Sequence, residues 1–136
     1  MKHIRVILVS LLVISLLIVV YSQTAYSQSP QVTKKILLKT SVTGDDTKEA
    51  VIVDALFDKG ATTGRHTHPG DEYAVVLEGD LELLSEGSGS RLVGAGDAYH
   101  NPGSVIHEAR NVGDGAARVI VTFIVKKDEA VTQQAQ

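Results

Sequence analysis

The chain of 136 residues contains no cysteine. That excludes disulfides, cysteine nucleophiles and thiolate metal sites, whatever compartment the protein occupies. No run of lysines and arginines appears either, and acidic residues outnumber basic ones, 16 to 13. A domain without clustered positive charge is poorly suited to nucleic acid, whose phosphates demand it. Helical periodicity is missing too. Between Gln31 and Lys126 no window of helical length repeats its apolar residues every 3.6 positions. What is present is a single-domain length, one apolar run at the N-terminus, and a succession of short β-rich segments cut by turns.

The apolar run belongs to an address, not to the fold. Lys2 and Arg5 precede Val6–Val20, a stretch interrupted only by Ser10 and Ser15, and a polar segment with Ala25 and Ser27 follows. Charged, apolar and small-residue regions in that order predict a signal peptide over residues 1–27. The run is short of the ~20 residues a membrane span needs. Contact with a membrane is therefore expected only through this segment, if it stays uncleaved. The remainder is expected to be exported, periplasmic or secreted. Cleavage after Ser27 leaves Gln28–Gln136, with 11 basic residues against 16 acidic ones and a formal charge of −5.

From Gln31 the chain reads as strands and turns. Val32–Val42 is β-rich and Thr43–Asp46 turns. Ala50–Phe57 alternates around Val51, Val53, Ala55 and Phe57. Glu72–Leu77 and Leu81–Ser85 flank Glu78-Gly79-Asp80, which reads as a short hairpin. Glu86–Ser90 is a flexible loop, and Arg91–Val93, Asp97–Asn101, Ser104–Asn111 and Ala116–Lys126 are further strands. Short strands with turns every 8–12 residues predict an all-β sandwich or barrel. The polar tail, residues 127–136, is expected to be frayed.

Chemistry concentrates in two stretches. The first runs Gly60, five residues, His66, one residue, His68, three residues, Glu72, six residues, Gly79. Residues i and i+2 of a strand share a face, so His66 and His68 can close on one cation. The turn Pro69-Gly70-Asp71 lets the chain double back and bring in Glu72. The second stretch runs Gly96, five residues, Pro102, four residues, His107, three residues, Asn111. An H-x-H in a polar turn means little alone; Glu72 adds a third candidate ligand, and His107, in the second stretch, a fourth.

These paired spacings resemble the two-part signature of the cupin superfamily, over about Gln31–Lys126. The first motif matches at every fixed position. The second departs once: the family's usual glycine two residues after the proline is Ser104 here, beside Gly103, which shifts the expected place of the turn's flexible residue. The resemblance implies an antiparallel jelly-roll β-barrel, a double-stranded β-helix. In it His66, His68, Glu72 and His107 converge on one divalent transition metal. Three neutral imidazoles and a carboxylate suit Fe, Mn, Ni, Cu, Co or Zn. Four protein ligands leave coordination positions open for water, substrate or dioxygen, and a net site charge of +1 favours an anionic ligand.

The surrounding residues follow from alternation. Tyr73 and Arg65 point away from the metal, and Asn111 shares His107's face and ties down backbone. Glu108 and Arg110 are solvated. One of Tyr99 and His100 faces the interior. If it is His100, an acid/base group stands beside the metal, and Glu72 and His100 are the catalytic candidates. Two functions of different kind follow. One is a metal-dependent enzyme acting on a small oxygen-rich molecule, by dioxygenase-type oxidation or by isomerisation or decarboxylation. The other is a barrel that binds or stores a metal or small molecule without turnover. An inward His100 favours the first, and a purely apolar wall the second. Val32–Val42, by the same resemblance, can add to a partner's sheet edge in a homodimer.

Overall fold

In Asp45–Phe57 every second residue from Glu49 onward is buried, which is the signature of a strand with one face on a core. This is the second of ten strands in the computed structural model, which describes residues 28–135. The expected signal segment, residues 1–27, lies outside the described residues.

The strands are β1 (Val32–Val42), β2 (Asp45–Phe57), β3 (His66–Thr67), β4 (Gly70–Glu78), β5 (Asp80–Ser85), β6 (Gly89–Gly94), β7 (Ala98–Asn101), β8 (His107–Asn111), β9 (Ala117–Lys126) and β10 (Gln133–Gln134). They form two antiparallel sheets, in the orders β1-β2-β9-β4-β7 and β10-β3-β8-β5-β6. No helix occurs among the described residues. The architecture is the expected all-β jelly roll.

The core lies between the sheets. Val51, Val53, Ala55 and Phe57 from β2, Val119, Val121, Phe123 and Val125 from β9 and Val76 from β4 line the inner face of the first sheet, with Leu81 and Leu83 from β5 opposite. Removing such side chains from water stabilises the fold by about 25 cal/mol per Å² of apolar surface. The β-branched residues of β9 suit its place between two strands of the first sheet.

Two expectations are corrected here. Glu78-Gly79-Asp80 is not a hairpin: β4 and β5 belong to different sheets. Val76 is buried on the first sheet and Leu81 on the second, so the chain changes sheets between them. The corner is taken at Gly79, at φ +78°, where a Cβ would lie 2.7 Å from that of Ala117. The true hairpin joins β5 to β6 through the segment expected to be a loop, with Ser88 N–H donating to Ser85 O.

Nor does the tail hang free. Gln133 and Gln134 pair with Thr67 and His66, Ala135 N–H donates to Arg65 O at 3.0 Å, and Val131 packs on the core. The short strand β3 offers an open edge, and backbone hydrogen bonds to it need no side-chain pattern that a sequence would display.

Candidate metal centre

β3 is two residues long and carries His66 directly opposite His107 on β8. His68 stands one residue beyond β3, on the same side by alternation. Glu72 enters from the other sheet, on β4, opposite Phe123 and Asn101. All four side chains are buried, and one potential ligand atom from each lies within 4.8 Å of the others. The structure thus brings His66, His68, Glu72 and His107 into one cluster spanning both sheets.

The turn between His68 and Glu72 depends on Gly70. A Cβ there would lie 2.1 Å from Ile124 O and 2.7 Å from Val125 Cα. Only glycine lets β4 start this close to β9, and that approach aims Glu72 inward. On the far side, Ser104 itself adopts φ +65°. The left-handed residue therefore stays where the resemblance places a glycine and does not shift to Gly103, contrary to expectation. Gly103 instead presses against Gly70, where a Cβ would sit 3.0 Å from Gly70 Cα.

Each imidazole is oriented by backbone. His66 Nδ1 faces Gly64 O at 2.9 Å, His107 Nδ1 faces Val105 O at 2.9 Å, and His68 Nδ1 faces Val131 O. A carbonyl only accepts, so each Nδ1 donates and each Nε2 keeps a lone pair turned inward. Glu72 Oε2 lies 3.2 Å from His68 Nε2 and 3.0 Å from His107 Nε2. Those two Nε2 atoms are buried without a hydrogen-bond donor. Converging lone pairs against a carboxylate call for a cation. Without metal a proton fills that role, and the nitrogen/oxygen set fits a divalent transition ion.

The electrostatics agree. Burial pushes the Glu72 carboxyl up, but the His107 and His68 rings close to its Oε2 and the hydrogen bond from Asn101 outweigh it and hold the group well below the usual carboxylate range. Burial holds His66 down to about 4, which keeps its imidazole neutral and ready to ligate at neutral pH. Burial also lowers His107, yet its contacts with Glu72 and Val105 O prevail and raise it.

His100 does not join the cluster. It is Tyr99 that turns inward, and His100 lies on the outer face, stacked on Tyr73 with ring centroids 4.7 Å apart and 3.5 Å from Asp71 Oδ1. Alternation on β7 admits only one of the two, and the interior takes the less polar ring. His100 therefore fails the condition under which it was a catalytic candidate. Tyr99, with its hydroxyl pushed well above the ordinary range by burial and by the Glu72 charge, lines the site instead.

Asn101 was missed in the sequence: its Nδ2 donates to Glu72 Oε2 at 3.0 Å and steadies the carboxylate. The only available signal was its place before Pro102, which forces an extended backbone. Asn111 ties down backbone as expected, donating to the carbonyls of Phe57, Asp58 and Gly115.

Fold and site together define a small jelly-roll barrel with a buried three-histidine, one-carboxylate cluster suited to a metal. Residues 53–123, more than half of the chain, match the cupin domain family. The chain belongs to that family. It is 30% identical over 86 residues to the HTH-type transcriptional regulator PuuR of Escherichia coli K12, a match covering 62% of this chain and 46% of the regulator. The match thus spans less than half the length of that curated relative. Among solved structures, a conserved protein with a double-stranded β-helix domain from Klebsiella pneumoniae superimposes with a TM-score of 0.62 at 20% identity, covering 81% of this chain and 87% of that one. An oxalate oxidase in complex with the substrate analogue glycolate gives a TM-score of 0.61 at 23% identity, covering 76% of this chain and 55% of that one. At these identities the likeness concerns the fold.

Proposed function

We propose that the protein is an exported, metal-dependent enzyme acting on a small oxygen-rich molecule at His66, His68, Glu72 and His107. One observation carries this reading: three oriented Nε2 lone pairs and the Glu72 carboxylate meet in a buried cavity of about 30 Å³ walled by Val53, Phe57, Val121 and Phe123. Such a volume admits a water or two, or one small ligand group, beside the ligand atoms. A divalent transition ion held there supplies Lewis acidity and, where redox-active, electron transfer.

The chain's own residues do the rest. The three carbonyl-anchored imidazoles keep their geometry through a turnover. The apolar wall excludes bulk water and strengthens every charge interaction inside. Asn101 would hold Glu72 in place as a ligand, and Tyr99, whose hydroxyl stays protonated at working pH, lines the same cavity. The reaction class is a dioxygenase-type oxidation, or an isomerisation or decarboxylation. The fold it shares with an oxalate oxidase supports the choice of an oxygen-rich acid.

A second reading, binding or storage without turnover, is favoured by His100 lying outside and by the largely apolar wall. Metal analysis of protein recovered from its own exported compartment, followed by oxygen uptake with diols, flavonoids and oxalate-like acids, separates the two. Oxygen consumption lost in Glu72→Ala supports the enzyme. Stoichiometric metal with no turnover in oxidation, isomerisation or decarboxylation assays supports the binding barrel. Absence of metal, with His107→Ala leaving metal affinity unchanged, sinks the site. Export through residues 1–27 and a homodimer through β1 belong to the same proposal, tested by N-terminal sequencing of the mature protein and by its mass in solution.

A further inference from the structure

One positive charge reaches the cavity from outside the ligand set. Lys34 on β1 pairs across the sheet with Ala55, whose side chain is buried in the interior. Directly opposed residues of antiparallel strands share a face, so Lys34 stands on the interior side of the first sheet. Its neighbours on that face mark the gradient. Val32, opposite Phe57, packs on the core, while Ile36, opposite Val53, is 63% exposed. Lys34 lies between them, at the rim, and lines the same cavity as the four ligand residues.

The other polar groups lining the cavity are largely occupied. The Thr63 hydroxyl accepts from Ala109 N–H, and Asn101 donates to Glu72. Among the described residues, the lysines in ion pairs are Lys39, Lys48, Lys59 and Lys126, and Lys34 has no carboxylate partner. A lysine beside an apolar wall, with no carboxylate within ion-pair distance, is arranged to receive one from a ligand.

From this we infer that Lys34 anchors the substrate's charge at the mouth of the cavity. The ligand class is a short-chain carboxylate whose carboxyl group enters the cavity, held between the Lys34 ammonium and the cationic centre, while its carbon body stays at the rim. The inference rests on the metal reading above and specifies its substrate class.

The test uses the Co(II)-loaded full-length protein, titrated with acetate and butyrate and with acetamide and butyramide as neutral counterparts. Binding is read by calorimetry and by the visible spectrum of the ion. The expected result is tighter binding of the carboxylates. Lys34→Met, which keeps the apolar stem, weakens carboxylate binding about five- to tenfold, the scale of a rim ion pair. It leaves amide binding and cobalt content unchanged, and Lys34→Arg restores most of the loss. Equal carboxylate affinity in wild type and Lys34→Met, with cobalt bound in both, overturns the role of Lys34 alone. A wild type that takes up no cobalt or other transition ion overturns the metal reading, and this inference with it.

Discussion

The carbonyl of Val131 accepts a hydrogen bond from Nδ1 of His68, across 63 positions of sequence. A residue near the C-terminus, beyond the segment 53–123 that matches the family, thus sets the orientation of an imidazole in the cluster. The same tail pairs with His66 through Gln134. Two of the four cluster residues are held by ten residues that look like a polar appendage. Truncation after Lys127 is expected to weaken metal binding about 10- to 100-fold, the usual effect of losing a ligand's supporting hydrogen bond. A competition titration against a chelator reads this, with circular dichroism showing that the barrel still folds. Unchanged affinity in a folded truncation would remove Val131 from the site.

Glu72→Gln keeps the shape of the side chain and removes its charge. It is expected to lower affinity for a divalent ion at least about a hundredfold, since a neutral amide is a poor ligand in a buried site. Metal-to-protein ratios after dialysis give the answer. Asn101→Ala should lose less, because it removes a support for Glu72 and not a ligand.

The pH response of the metal-free protein follows from His66, held at about 4 in the fold against an ordinary value of 6.5. Between those values the unfolded chain takes up a proton that the folded one refuses. Stability therefore falls as pH drops from 6.5 towards 4, by roughly 1–3 kcal/mol. His107, held high, is protonated in both states across this window, and Glu72, held low, adds a further loss once pH falls through the ordinary carboxylate value of 4.5. Urea midpoints with chelator present should decline over this range in wild type and flatten in His66→Asn. An equally steep decline in the variant would assign the effect to another group.

Gly70→Ala places a methyl group 2.1 Å from Ile124 O, a backbone atom inside a sheet that cannot step aside. A loss of at least about 2 kcal/mol is expected, together with weaker metal binding as Glu72 is displaced. Thermal melts of the metal-free variant and its metal titration check the two effects separately.

Ser104→Gly should act in the opposite direction. The serine holds a left-handed conformation, at φ +65°, that costs a non-glycine residue about 1 kcal/mol, part of which glycine returns to flexibility of the unfolded chain. A gain of up to about 1 kcal/mol is expected. Ser104 N–H donates to His68 O at 3.0 Å, so metal affinity should hold or rise slightly. A destabilised variant would mean that the serine side chain contributes something its backbone does not.

The strands of the core were legible because β alternation writes itself directly into residue order: Val51, Val53, Ala55 and Phe57 could face only one way together. The spacing of the first motif likewise marked His66, His68 and Glu72, whereas His107, far along the chain, was joined to them only by the resemblance of the paired motifs to the cupin signature. Less legible was everything set by contacts between distant segments. Gly79 looks like a hairpin residue until β4 and β5 are seen in separate sheets. Tyr99 and His100 are equivalent by alternation, and only the packing of β7 at the edge of its sheet turns Tyr99 in. Lys34, Asn101 and Val131 carry no motif, yet each borders the cavity or steadies a ligand residue.

By itself, then, the sequence determined an all-β chain with His66, His68 and Glu72 at close spacing, because period and spacing are local properties, and its resemblance to the cupin signature added His107. Tertiary structure alone decided which way His100 points and which carbonyls orient the imidazoles. It also decided that one lysine stands at the mouth of the cavity. Those depend on how two sheets close over one another, and no short stretch of chain records that.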